Sequence, residues 1–220
     1  MEKLMLLFLM CCSSLAFAQK YEAFSEQSDS DSKKILNNLR AKYEAYKGLR
    51  ARYSLVIRSS EKEEKQQGEV MQQGNKYRIE YGGNLLVSDG ETVWTYTKSI
   101  NEVQINTYSP EENEDEWLSP DKILKVYENE DDFLVSPPLE NDSECAIEMK
   151  PRSEDTEFFK IRITISKANN ELRQVIIFGH HNLRYTFDIE EIKSASIASA
   201  YFKFDKSKYP GVEEIDLRED

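Results

Sequence analysis

The sequence LLVSDGETVWTYTKSINEVQI, residues Leu85–Ile105, contains two turn signals between short runs of strand-forming residues. Leu85–Val87 is an apolar run that ends at an Asp-Gly pair, which favours a hairpin because glycine tolerates the positive φ of a tight turn. Val93–Thr97 is β-branched and aromatic, and the residues from Val103 onward alternate between apolar and polar. The stretch therefore predicts three antiparallel strands in a sheet with one apolar and one polar face.

The same alternation continues on both sides of this stretch. It predicts about eleven strands among twelve short segments, at residues 49–57, 68–72, 77–81, 85–87, 93–97, 103–105, 133–135, 145–149, 159–165, 175–178, 183–189 and 201–204. Short turns between them indicate antiparallel neighbours. So many antiparallel strands are expected to curl, and the inner face of a curled sheet is either filled by its own side chains or left as a cavity. The sequence thus predicts an α+β, mostly β fold.

Two helical segments are predicted to cover the curled sheet. From Lys33 to Lys47 the apolar residues recur at helical spacing, and Gly48 is a suitable stop. A second helix is predicted from Asp121, after a Ser-Pro pair that suits a cap and first helical position. The acidic run at residues 111–116 lacks the spaced ligands of a calcium loop, so a solvated loop is expected there.

The first 18 residues have the features of a secretory signal peptide. An apolar run follows Lys3, and the small residues Ala16 and Ala18 mark a cleavage site after Ala18. Lipid modification of Cys11 or Cys12 is disfavoured because neither cysteine follows a small residue. Residues 19–32 are polar and acidic and predict a flexible leader, so residues 33–220 are expected to form a single domain. The protein is therefore predicted to be exported to the periplasm.

Composition excludes several classes of partner. Removing residues 1–18 from the 220 leaves 202 residues, with 40 acidic and 28 basic side chains and the same net charge of −12. So acidic a surface disfavours nucleic acid and anionic lipid headgroups, which select basic patches. Cys145 is then the only cysteine, so no intramolecular disulfide is expected.

The sequence offers little support for enzymatic chemistry. Its two histidines, His180 and His181, are adjacent at a predicted turn, where neighbouring side chains point apart and are poorly placed to bind one metal. Motifs for a nucleophile elbow, a phosphate-binding loop or a zinc protease do not occur. Cys145 lies within an apolar run and is predicted to be a core thiol. We therefore expect no enzyme activity, cofactor or metal.

Several of these motifs together resemble a known family. The run from Leu85 to Tyr96, followed by the strand at residues 103–105, is similar to the signature of the periplasmic outer-membrane lipoprotein carrier protein family, LolA. Further matches occur in the expected order: Gly68-Glu69-Val70 with Tyr77-Arg78-Ile79, the DFLVSP run at residues 132–137, and Phe202-Lys203-Phe204 with Tyr209-Pro210-Gly211-Val212. With the signal peptide and the first helix, the resemblance spans nearly the whole exported chain. It is carried by the order and spacing of the motifs.

The resemblance implies a LolA-like half-barrel over residues 33–220: an unclosed antiparallel β-barrel with helices as a lid over an apolar cavity. It also implies a monomeric carrier that accepts acylated lipoproteins from an inner-membrane lipoprotein-releasing transporter. An outer-membrane acceptor, whose identity is unknown, would receive them. Such a carrier is needed because moving an acyl chain of about 14 methylenes into water costs ~11 kcal/mol at ~0.8 kcal/mol per methylene.

One departure from the family pattern affects the expected mechanism. Proteobacterial members place an Arg-Pro pair at the end of the second strand, and that arginine is associated with handing cargo onward. This sequence has Gln73-Gly74 at the corresponding positions. The fold and the cavity are expected to tolerate the change, whereas the hand-off mechanism cannot be carried over.

Alternation along the chain assigns a lipid-binding cavity. The predicted lining comprises Tyr53, Leu55, Ile57, Val70, Tyr77, Ile79, Tyr81, Leu85 and Val87 on one sheet face, with Ile35, Leu39 and Tyr43 opposite them on the first helix. A register slip of one residue would exchange the faces of a strand. The predicted function is lipoprotein carriage. The alternative is a periplasmic lipid- or lipoprotein-sensing regulatory module with the same half-barrel fold.

Overall fold

The computed structural model describes Phe24, residues 27–109 and residues 132–218. Its helix α1 spans Ser30–Glu44 and begins three residues before the predicted start. The reason is an earlier cap: the Asp29 carboxylate accepts a hydrogen bond from Ser32 N at 2.8 Å. The predicted signal peptide, half of the predicted leader, and the second helix predicted from Asp121 lie outside the described residues.

The strands that follow form one sheet. They are β1 (Leu49–Arg58), β2 (Glu63–Gln73), β3 (Lys76–Tyr81), β4 (Asn84–Ser88), β5 (Thr92–Thr97), β6 (Glu102–Thr107), β7 (Phe133–Val135), β8 (Leu139–Glu140), β9 (Glu144–Pro151), β10 (Phe158–Ser166), β11 (Glu171–Gly179), β12 (Arg184–Ser194) and β13 (Glu213–Asp216). Their order is β13-β6-β5-β4-β3-β2-β1-β12-β11-β10-β9-β7, with β8 also pairing with β9. The sheet is curved and unclosed, and α1 is the single α-helix of the described residues. This confirms the predicted fold class.

All neighbouring strands are antiparallel except β13, which lies parallel to β6. The sequence did not predict β13 because three of its four residues are acidic and give no alternating pattern. The strand predicted at residues 201–204 is wrong. Ser199–Phe202 forms a 3-10 helix instead, and its Phe202 side chain is 1 % exposed.

The sheet has two apolar cores, one on each face. We call the face that α1 covers the inner face and the opposite one the outer face. The larger core joins Leu36, Leu39 and Tyr43 of α1 to inner-face residues of β1–β3 and β9–β12. The smaller core lies on β4–β6 and packs against Phe204, Tyr209 and Val212 of the C-terminal segment. At ~1.5–3 kcal/mol per fully buried large apolar side chain, burial in both cores contributes to stability.

Candidate functional site

Most of the predicted lining residues lie together on the inner face. Seven of the twelve are buried in the larger core: Leu39, Tyr43, Tyr53, Leu55, Val70, Tyr77 and Ile79. Three more, Ile35, Ile57 and Tyr81, are half-buried and pack against it. The structure therefore brings ten of the twelve residues into one apolar surface between α1 and the sheet.

The prediction for Leu85 and Val87 is wrong, because both residues lie on the outer face. Gly82 and Gly83 make a two-residue turn with φ of 57° and 89°, and Tyr81 pairs with Asn84 across it. Across a two-residue turn, the odd-numbered residues of one strand share a face with the even-numbered residues of the next. Leu85 and Val87 accordingly pack in the smaller core with Tyr96, Val103 and Val212.

The inner-face residue of this part of β4 is Leu86, and not its neighbours Leu85 and Val87. It is the cross-strand partner of Ile79, and cross-strand partners point to the same face. The Leu86 side chain is half-buried and packs against the larger core. The apolar inner face therefore continues from β3 onto β4 through this residue.

The sequence prediction also missed half of the inner face. Strands β9–β12 contribute a second set of buried inner-face residues: Cys145, Ile147, Met149, Ile161, Ile163, Ile165, Leu172, Val175, Ile177 and Phe187. Their period-two alternation was visible in the predicted strands at residues 145–149 and 159–165. What the alternation could not show is that β12 pairs with β1 and so joins the two halves into one surface.

Helix α1 is hydrogen-bonded at both ends to the C-terminal half of the sheet. At its N-terminus, Asp29 N donates to Val135 O at 2.9 Å and Ser32 Oγ donates to Ser136 O at 2.8 Å. At its C-terminus, the Tyr43 hydroxyl accepts a hydrogen bond from Leu172 N at 3.0 Å. The helix is thus fixed to β7 and to the β10–β11 end, while it meets β1–β3 through apolar side chains.

Two tyrosine side chains bring hydroxyl groups into this apolar region. Burial raises the pKa of Tyr43 to about 12, against the opposing effect of the hydrogen bond from Leu172 N. Burial likewise raises the pKa of Tyr53 to about 12. The Tyr53 ring lies directly over Gly68, where a Cβ would come within 2.2 Å of the ring. Gly68 is therefore required for the close approach of β2 to this ring.

The cysteine and the histidines have the predicted surroundings. Cys145 is free and buried, and burial raises the pKa of its thiol. His180 and His181 occupy the β11–β12 turn, where His180 Nε2 lies 3.0 Å from Thr156 O and His181 has a φ of 56°. Within the described residues no cluster of three or more metal-binding side chains occurs.

The inner-face residues of the sheet lie within the part of the chain that a protein-family model matches. The family model for "Outer membrane lipoprotein carrier protein LolA" matches residues 44–205, which is most of the chain. The chain belongs to the LolA family. This confirms the resemblance seen in the sequence. LolA-family proteins are periplasmic and bind lipoproteins, and the family is one of carriers.

The chain is similar to several solved structures at low sequence identity. An uncharacterized conserved protein from Thermus thermophilus is 15 % identical, with a TM-score of 0.53 over 84 % of this chain and 99 % of that one. A LolA superfamily protein from Nitrosomonas europaea is 10 % identical, with a TM-score of 0.43 over 79 % and 97 %. A putative outer membrane lipoprotein-sorting protein domain from Vibrio parahaemolyticus is 9 % identical, with a TM-score of 0.44 over 79 % and 96 %.

No curated protein matches the sequence of this LolA-family chain. In the part of the chain that the structure describes, none of the helices has the length and hydrophobicity needed to cross a membrane.

Proposed function

We propose that the protein is a periplasmic carrier that binds the acyl chains of lipoproteins between α1 and the inner face. After removal of residues 1–18, it would take cargo from an inner-membrane lipoprotein-releasing transporter and deliver it to an outer-membrane acceptor. The observation that carries this proposal is the continuous apolar inner face, which β1–β3 and β9–β12 build together under a single helix. Family membership supports the same function.

Acyl chains need space that the core side chains now fill. Leu36, Leu39 and Ile163 are at most 2 % exposed, so cargo binding requires α1 to separate from part of the sheet. The hydrogen bonds of α1 described above run to β7 and to Leu172. Displacing the C-terminal end of α1 breaks the Tyr43–Leu172 bond, and acyl chains that enter beneath the helix replace the apolar contacts that are lost.

Neighbouring residues of β1 provide a matched test of the loading surface. Ile57 faces inward and Val56 outward, and both side chains are half-buried. A carboxylate placed in the path of an acyl chain is costly because it loses hydration. Ile57→Asp should therefore weaken binding of a fluorescent fatty acid by about tenfold or more, whereas Val56→Asp should change it less than about twofold.

The assay is a fluorescence titration of the exported chain, residues 19–220, with native mass spectrometry of a triacylated lipopeptide complex to give the stoichiometry. Circular dichroism and thermal unfolding confirm that both variants are folded. Equal weakening by the two substitutions would contradict the inner-face assignment. A wild-type protein that shows no saturable binding of either ligand would contradict the carrier function.

A further inference from the structure

Four cationic side chains and one phenylalanine form a row across the outer face, near the ends of five strands. Successive strands contribute one residue each, and we call these five residues the rim row: Lys150, Lys160, Phe178, Arg184 and Arg58. Lys160 pairs with Phe178, Phe178 with Arg184, and Arg184 with Arg58. Lys150 lies beside Lys160, since the preceding rung is the Met149–Ile161 pair. With strands ~4.8 Å apart, the row is about 19 Å long.

Positive charge exceeds negative charge along the rim row. Lys160 Nζ lies 4.6 Å from the centroid of the Phe178 ring, and the Arg184 guanidinium lies 4.9 Å from it. Lys160 and Arg162 share the single carboxylate of Glu148, at 3.0 and 2.9 Å. Arg58 is paired with Glu63, its cross-strand neighbour on β2, whereas Arg184 and Lys150 form no ion pair with another described residue. An additional anion would relieve the repulsion among these cations.

A cleft of about 500 Å³ continues the rim row beyond β9. Lys150, Arg152 and His180 contribute polar groups to its lining, and Phe159 contributes an aromatic surface. The Phe159 side chain is 47 % exposed, and its ring lies 6.1 Å from that of Phe178. The cleft has one carboxylate, Glu154. It therefore offers both positive charge and apolar contact to a ligand.

The inner-face residues next to the rim row are more accessible than those further along the same strands. Ile57 and Tyr185 alternate along their strands with Arg58 and Arg184, and both are half-buried. Two rungs further in, Leu55 and Phe187 pair with each other and are 3 % and 5 % exposed. The apolar surface thus becomes accessible at the same strand ends that hold the cations outside.

We propose that the rim row and its cleft bind carboxylate groups of the polypeptide that follows the acylated residue of the cargo. The preferred cargo then carries acidic residues next to its lipid. A row about 19 Å long matches about six residues of extended chain, which is longer than a single lipid headgroup. This inference rests on the proposed function, because it places the acyl chains on the inner face and the attached polypeptide over the rim.

The test compares two dipalmitoylated lipopeptides that differ only in the six residues after the acylated cysteine. One alternates Ser with Glu, and the other alternates Ser with Gln. In 50 mM salt the acidic lipopeptide should bind about tenfold more tightly, the combined effect of a few exposed ion pairs. The preference should fall to about twofold in 0.5 M salt, where screening reaches about 4 Å.

Paired substitutions locate the preference on the molecule. Arg184→Gln with Lys150→Gln should abolish it and leave the affinity for the neutral lipopeptide unchanged. Lys47→Gln with Lys98→Gln makes the same change in net charge away from the rim row, and this control should retain the full preference. If the rim variant does not fold, the inference is tested by whether the wild-type preference for the acidic lipopeptide falls with salt.

Each remaining outcome has a defined meaning. Equal wild-type affinity for the two lipopeptides, or a preference that survives in the rim variant, overturns this inference and leaves the carrier function standing. Phosphatidylglycerol vesicles that displace the acidic lipopeptide, when vesicles of neutral lipid do not, would assign the cations to a membrane surface instead. Failure of both lipopeptides to bind overturns the carrier function and this inference together.

Discussion

Replacing Tyr43 with Phe removes one hydroxyl and tests whether α1 opens as a unit. The wild-type hydroxyl accepts a hydrogen bond from Leu172 N at 3.0 Å, and Leu172 is 5 % exposed. In the variant the ring still fills its place, but the Leu172 N–H is buried without a partner whenever the helix is closed. Leaving such a group unsatisfied costs about 1–2 kcal/mol, so the open population should rise by a factor of about 5 to 30.

Two measurements are made on the Tyr43→Phe variant. Native-state hydrogen exchange reports the opening free energy at the Leu172 amide and along α1. Stopped-flow uptake of a fluorescent fatty acid should accelerate by the same factor if opening limits loading. Tyr46→Phe is the matched control, because the Tyr46 ring lies edge-on to Tyr43 at 5.8 Å and loses the same group. Its exchange and uptake should stay close to wild type.

A third measurement, the midpoint of urea unfolding, shows whether the Tyr43–Leu172 bond breaks in a local opening or only in global unfolding. If Tyr43→Phe lowers the free energy of global unfolding by about 1–2 kcal/mol and leaves α1 exchange and uptake unchanged, the bond to Leu172 breaks only when the whole protein unfolds. In that case α1 would be a fixed part of the core, and loading would require a different opening.

Three further predictions follow from buried groups. Because the folded pKa values of Tyr43 and Tyr53, about 12, exceed the unfolded value of about 10, the folded state keeps protons that the unfolded state loses. The contribution of these two tyrosines to stability should thus be constant below about pH 10 and fall toward pH 12 in urea titrations, and a shallower fall is expected for Tyr53→Phe. Gly68→Ala should lower the free energy of unfolding by more than about 2 kcal/mol because its Cβ meets the Tyr53 ring. Gly74→Ala has open space around its Cβ but a φ of 59°, so it should lower the same free energy by about 1 kcal/mol, as measured by thermal unfolding. Cys145 should react with a thiol reagent only as fast as the protein opens, and reaction at the rate of a free thiol would contradict its burial.

The strands could be predicted from the sequence because the information is local. Val103 and Ile105 alternate with polar residues, and the Asp-Gly pair after Ser88 needs no distant partner to favour a turn. Phe202 shows the limit of the same reasoning. Its surroundings look like a strand, but the residue is buried in a 3-10 helix that packs next to β3, a contact set by tertiary packing.

The candidate site was predicted less completely because its assembly is nonlocal. The face of Leu85 depends on the register across Gly82-Gly83, and counting odd residues through that turn placed it on the wrong side. The contribution of Ile163 depends on the pairing of β1 with β12, which joins segments more than 100 residues apart. The bond from Leu172 to Tyr43 spans 129 residues and leaves no trace in local periodicity.

The position of the two cores on opposite faces affects how the sequence can diverge. Val87 and Val212 belong to one core and Ile79 and Leu39 to the other, so substitutions in one core are expected to add independently to those in the other. The outer core can then accumulate stabilising changes without altering the surface proposed to bind acyl chains. A lineage with a well-packed outer core can tolerate larger losses on the inner face, and its ligand range can change with fewer folding failures.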